Sequence, residues 1–314
     1  MLYWHTIFDH RTKEEVISLI ENNILENIPK NLTAKSTSKH MPKCKSCPFG
    51  SMRQKPLPIK SSTTYLPGDC AVGDIKHMGV KDIDGYEYLA LLVDVGSDKI
   101  FEYKLKKLEN LGDIVVLLSS TYISAGHTMK LIRFDVQFLT KQITDYLLTA
   151  SPKFEKVDQQ HPAPYEHGQS GVAESIIQKI ESSIQKVLKD SNSPKEFWGP
   201  IASNICKVRN SMNSSKHPSC SRNVKFGGKK VDLLDTPLIP FGSVVYAHIP
   251  TKNQTALGFK CIETVSFGSA DGVKGGIILY NLKTKKRIIR RTFKVMGPGD
   301  SAIYKDDHIN IEIE

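Results

Sequence analysis

The 314-residue sequence predicts an α/β protein in three parts: a helical N-terminal module, a central α/β core and a small C-terminal β-rich domain. Three observations carry that expectation. Two histidines and a C-x-x-C pair bracket the first stretch of chain. Three strand-like segments followed by alternating helix and strand patterns fill the middle. Short strands between turn signals fill the end.

The N-terminal part spans residues 1–55. Residues 1–30 read as helix, with Val16, Ile17, Leu19, Ile20, Ile24 and Leu25 on one apolar face. "PKNLTAKSTSKHMPK" is polar and reads as loop. His5, His10, Cys44 and Cys47 make a complete tetrahedral donor set for Zn²⁺. A region with so little core commonly needs a metal to stay folded. His40 competes for one histidine position, and the plainer reading is surface imidazoles beside packed thiols. Prolines mark a linker over 56–70.

The core spans 71–213. "DCAVGDIKHMGV", "GYEYLALLVDVG" and "DKIFEYKLKK" read as strands, and Leu108 to Ser124 as a helix. A strand in "TMKLIRFDV" ends at Asp135. A helix in "FLTKQITDYLLTAS", a short strand in "KFEKVDQQ" and two further helices follow. That is the element order of an RNase H-like core. In such a sheet the first and fourth strands are neighbours, which brings Asp74 and Asp135 to one end. Glu174 opens the helix of "HGQSGVAESIIQKI" and would close the cluster. An acid there also complements the helix dipole, a plainer role. Three converging carboxylates suit Mg²⁺ or Mn²⁺ and in-line phosphoryl transfer. Asp69, Asp82, Asp84 and Asp94 compete for the first position, with Asp94 expected as a structural or solvent-facing acid.

A polar linker, 214–235, leads to a basic β-rich domain over 236–314. Lys283, Lys285, Lys286, Arg287, Arg290 and Arg291 crowd one segment there, and Lys179 and Lys186 lie on the Glu174 helix. With a net charge of +10, these lysines and arginines favour a polyanionic partner, nucleic acid first, through counterion release, and an anionic membrane surface second. A solvated strand face is the competing reading. No apolar run is long enough to span a bilayer. The N-terminus does not read as a secretory signal. Cys70, Cys206, Cys220 and Cys261 read as free, mostly buried thiols.

The ordered series of strings resembles the integrase of copia-type LTR retrotransposons. "YWHTIFDH" is similar to that family's W-H-x-x-L-G-H opening, and "CKSCPFGSMRQKPLP" to its C-x-x-C-x-x-G-K stretch. "GDIKHMG" with "GYEYLALLVDVGSDKIFEYKLK" resembles the segments around the first acid, and "GQSGVAES" resembles Q-x-N-G-x-A-E-R. "FWGPIASNICKVRN", "FGSVVYAHIP" and "TKKRIIRRTFKV" continue the match in family order. The resemblance implies Asp74, Asp135 and Glu174 as catalytic ligands of Mg²⁺ or Mn²⁺, and His5, His10, Cys44 and Cys47 as ligands of a structural zinc. It implies 3′-end processing of element DNA and strand transfer into target DNA by a homo-oligomer, with double-stranded DNA (element ends and target) as the partner and RNA a further one. No membrane partner is expected, and the implied places of action are nucleus and cytoplasm. The surroundings depart from the family pattern: Val136, Gln137 and Phe138 follow Asp135, Ser175 and Ile176 follow Glu174, and Val72 and Gly73 precede Asp74. The expectation is therefore a polyprotein fragment or degenerate copy, with an inactive nucleic-acid-binding remnant as the alternative.

Overall fold

A computed structural model describes residues 2–30, 32–40, 44–51, 64–133, 158–159 and 167–296. Its central sheet holds β1 (Cys70–His77), β2 (Tyr88–Asp94), β3 (Ile100–Leu105), β4 (Leu131–Arg133) and β5 (Asp158–Gln159), in the order β3-β2-β1-β4-β5. β2 runs antiparallel to both β1 and β3, whereas β4 and β5 continue parallel to β1. The sequence of β2 is apolar on both faces because both faces are covered. Leu89, Leu91 and Val93 meet the helices His167–Ser191 and Trp198–Asn210. Ala90 and Leu92 meet the helix Leu111–Ser124. Ile177, Ile180, Ile184 and Val187 recur at helical spacing and form the buried stripe of the long helix.

The second sheet holds β6 (Val244–His248), β7 (Cys261–Ser269), β8 (Ile277–Asn281), β9 (Lys286–Arg290) and β10 (Phe293–Val295). Its order is β10-β6-β7-β8-β9, and every pairing is antiparallel. β9 and β10 sit at opposite edges with only Arg291 and Thr292 between them, so the sheet curls back on itself. The Phe267 ring stacks on Phe241 at 4.8 Å and on Tyr280 at 5.0 Å. All three belong to the same buried cluster as Trp198 and Leu91, so one core runs through both sheets.

Three expectations change. The N-terminal helix is two helices, Leu2–Ile7 and Lys13–Glu21, because Asp9 and His10 adopt φ of 55° and 54° and turn the chain. The polar stretch read as loop contains the helix Ala34–His40. Reciprocal bonds between Thr33 and Ser36, at 3.0 and 3.1 Å, cap it. Cys70 and Cys206 are buried as expected, but Cys220 is half-buried and Cys261 exposed. Asp135 and the segment "FLTKQITDYLLTAS" lie outside the described residues.

Asp94 is structural and wholly buried. Its Oδ1 accepts from Gly68 N–H (2.9 Å) and Tyr122 O–H (3.1 Å), and its Oδ2 from Ser97 N–H (2.8 Å) and Oγ (2.6 Å). Asp94→Ala would leave these donors unpaired in a dry core, costing about 3–5 kcal/mol. A urea-unfolding midpoint unmoved by the substitution would refute this account.

Candidate metal centre and carboxylate face

The helix Leu2–Ile7 presents His5, and the turn at Asp9 and His10 brings the second imidazole back to it, with ring centroids 5.0 Å apart. Cys44 and Cys47, the latter opening the short helix Cys47–Ser51, close the set. One ligand atom from each of the four lies within 4.8 Å of all the others, an arrangement that could hold a metal ion. His5 Nε2 is 3.2 Å from Cys47 Sγ, and His10 Nδ1 is 3.3 Å from Cys44 Sγ and 3.7 Å from Cys47 Sγ. Nitrogen and sulfur ligands of one tetrahedral zinc stand about 3.6 Å apart. The donor set therefore fits zinc. His5 Nδ1 lies 2.9 Å from the Arg11 carbonyl, a bond that fixes the tautomer leaving Nε2 for the metal.

Burial lowers the pKa of His5 and takes that of His10 to about 4, so both imidazoles are neutral at pH 7, the ligating form. Burial first, and the neighbouring Cys44 second, push the Cys47 thiol up to about 11. Metal must displace that proton, whereas the neutral imidazoles have none to lose at pH 7. Zinc affinity should therefore rise with pH through the neutral range, by at least about tenfold from pH 7 to 8. Chelator competition at the two pH values measures this, and equal affinities would exclude a protonated thiol in the apo site.

The module is seated on the core by a buried polar group. Arg209 Nε donates to Asp9 Oδ2 at 2.5 Å, and Ser183 Oγ lies 3.2 Å from the same oxygen and accepts from Arg209 Nη2 at 2.7 Å. Ser182 Oγ donates to the Gly50 carbonyl, and Ser46 Oγ to Asp190 Oδ1 at 3.2 Å. Ile7, Phe8, Val16 and Leu19 pack with Val208 and Met212. Sequence reasoning missed Asp9, Ser183 and Arg209. Asp9 lies 174 residues from Ser183 and 200 from Arg209, and no local pattern marks the three.

On β1, alternation puts Val72, Asp74 and Lys76 on one face. Val72 and Cys70 pack with Ala173 and Leu131, and Lys76 Nζ pairs with Glu181 Oε2 at 2.5 Å. The long helix thus runs along this face of β1, with Asp74 between the two anchoring contacts. It begins at His167, so Glu174 is its eighth residue rather than its opening one, and no acid stands in the first turn to complement the dipole. Asp74 is half-buried, and its Oδ1 accepts from Ile75 N–H at 2.7 Å. Glu174 is exposed and accepts from Gln178 Nε2 at 3.1 Å. The competing acids have other partners. Asp69 pairs with Lys130 (2.8 Å), and Asp84 with Arg287 (2.8 Å). Asp82 caps a turn through the N–H groups of Asp84 and Tyr86, and burial raises its pKa.

The basic residues divide by position. Lys283 and Lys285 lie in the β8–β9 turn, where Asn281 Oδ1 accepts from Lys283 N–H at 2.9 Å. Lys286 and Arg287 open β9 and are exposed, although Arg287 is tied to Asp84. Arg290 Nε donates to the His248 carbonyl at 3.2 Å, and Arg291 is exposed. Lys179 is exposed on the long helix, whereas Lys186 is half-buried near Gly50 beside the His/Cys cluster.

The chain is similar to the retrovirus-related Pol polyprotein from transposon TNT 1-94 of Nicotiana tabacum, 23% identical over 300 residues. The alignment takes in 91% of this chain but 21% of that polyprotein, so the chain spans about a fifth of its relative's length. No family model matches. Among solved structures, a simian T-cell lymphotropic virus intasome in complex with PP2A regulatory subunit B56 gamma has a chain that aligns over 94% of this one and 97% of its own length. Its identity is 15% and its TM-score 0.46, too loose a likeness to carry an argument. No described helix is long and apolar enough to cross a membrane.

Proposed function

We propose that the chain is a copia-type retrotransposon integrase, which processes 3′ ends of element DNA and transfers them into target DNA. The observation that carries this reading is the placement of Asp74 on the β1 face along which the Glu174 helix runs. The sheet order β3-β2-β1-β4-β5, with β4 and β5 parallel to β1, supports an RNase H-like core. The pairing of Val72 with Arg133 adds a point of sequence: Asp74 and Asp135 each stand two residues beyond that pair. The similarity to a transposon Pol polyprotein along most of the chain agrees with both.

In this reading Asp74, Asp135 and Glu174 hold Mg²⁺ or Mn²⁺, which when bound supplies charge stabilisation to the attacking and leaving oxygens. The chain's own contribution is to position the carboxylates. β1 fixes Asp74, and the Lys76–Glu181 pair and the Ala173 contact set the long helix along that strand. His5, His10, Cys44 and Cys47 hold a structural Zn²⁺. Lys179, Lys283, Lys285, Lys286, Arg290 and Arg291 supply phosphate contacts, with Lys186 and Arg287 contributing from more enclosed positions. The active form is a homo-oligomer on paired DNA ends, acting in the nucleus after synthesis in the cytoplasm.

A second reading, an inactive DNA-binding remnant, is favoured by the altered residues after Asp135 and Glu174. Mn²⁺ titration of wild type against Asp74→Asn separates the two. Integrase predicts a Mn²⁺ site weakened at least about tenfold by the substitution, together with joined oligonucleotide products in the wild type. Equal Mn²⁺ binding and no joining would leave the remnant.

A further inference from the structure

The helix Trp198–Asn210, β3 and β7 enclose a cleft of about 450 Å³, and the Glu102 carboxylate stands in it half used. Its Oε1 accepts from Ser203 Oγ at 3.1 Å and lies 3.9 Å from Lys104 Nζ. Its Oε2 has no partner among the described residues, although the side chain is only 14% exposed. Burial raises the pKa of this group, with Lys104 pulling the other way. The ionised carboxylate is therefore short of compensating charge. The cleft's other acid, Asp271, is paired with Lys207 at 2.5 Å, and that pair is neutral. Glu102 thus sets the sign of the cleft, which repels phosphate and favours a cation. Ser269 lines it too, 5% exposed, with its Oγ buried and without a hydrogen-bond partner.

The backbone beside that carboxylate is open as well. β3 is the outer strand of the core sheet among the described residues. Asp94 N–H donates to the Lys99 carbonyl at 2.9 Å, so the next residue, Ile100, turns its backbone polar groups away from β2. Asn210 meets them: its Oδ1 accepts from Ile100 N–H at 2.9 Å, and its Nδ2 donates to Ile100 C=O at 2.7 Å. Glu102, two residues on, points its N–H and C=O the same way, and among the described residues no hydrogen bond meets them.

A free edge of this kind takes an extended peptide through main-chain bonds, and the facing side chains give selectivity. In an antiparallel pair, the residue bonded to Glu102 sets its own side chain on the same face, with Cβ atoms about 5 Å apart. Opposite charge is favoured at that position. The planar fork of an arginine can donate to a carboxylate and to a hydroxyl together. We propose that the cleft receives an arginine side chain from an extended partner peptide, whose main chain bonds to Glu102 and whose guanidinium donates to Glu102 Oε2. The Asn210 bonds to Ile100 close the edge on one side, so the added strand is short.

Titration of the full chain with the blocked peptide acetyl-Thr-Val-Arg-Val-Thr-amide tests this. The wild type should bind it, and should bind at least about tenfold more weakly when citrulline, the neutral isostere, replaces the arginine. Glu102→Gln should bring the two peptides to equal affinity. The bound arginine peptide should slow exchange of the Glu102 amide at least about tenfold and leave the Phe101 and Tyr103 amides, which face β2, unchanged. No binding to the wild type, or equal affinity of the wild type for the two peptides, overturns the proposal. N-acetylarginine amide binding as tightly as the pentapeptide, with the Glu102 amide unprotected, would overturn the added strand.

Discussion

Glu174→Gln is expected to abolish joining of oligonucleotides, lowering the rate by at least about a thousandfold, or about 4 kcal/mol of transition-state stabilisation. The substitution keeps the shape and removes the charge that a divalent ion requires. Glu174 is exposed and, among the described residues, bonded to Gln178 one turn away, so its loss should leave the fold and salt-sensitive DNA binding intact. Glu181→Gln is the matched comparison on the same helix. Glu181 pairs with Lys76 and lies two turns from Glu174, so its substitution should cost far less. Joining that survives Glu174→Gln would remove this residue from the site and with it the carboxylate-cluster mechanism.

Removing zinc should have the largest effect on stability. The His/Cys cluster ties helix Leu2–Ile7 to helix Cys47–Ser51, and the segment between them rests besides on the apolar cluster around Phe8, Leu19 and Leu25 and on the Asp9–Arg209 pair. Structural zinc sites supply folding free energy directly. A loss of several kcal/mol in a chain of this size lowers the melting temperature by about 10 °C. Phenanthroline treatment and Cys47→Ser should produce the same drop, and elemental analysis should find one zinc per wild-type chain. A melting curve indifferent to chelator would show that packing alone holds the module.

The parts of the fold legible in the sequence are those whose burial is periodic. β2 is a continuous apolar run because helices cover both its faces, and the long helix announces itself through Ile177, Ile180, Ile184 and Val187. The His5, His10, Cys44 and Cys47 cluster was legible because metal-ligand chemistry needs few residue types at short spacing. Other features depend on contacts far along the chain. "AKSTSKH" has no apolar stripe, so its helix rests on the Thr33–Ser36 cap and its neighbours. Nothing near Asp94 in sequence tells that Tyr122 and Gly68 close over it. Asp9 reads as one more surface acid until Arg209, two hundred residues on, meets it. The carboxylate site is half legible for the same reason. Asp74 and Glu174 could be placed on a strand and a helix, but the packing of that helix along β1 depends on Ala173 and Lys76 meeting partners across the fold.

The stack of Phe241, Phe267 and Tyr280 against Phe197 and the Trp198 cluster has a consequence for dissection of the chain. A protein cut between its two sheets would bare an aromatic surface on each half. The C-terminal sheet is thus a wall of the house rather than an annexe. Fragments ending near residue 235 should come out of cells insoluble.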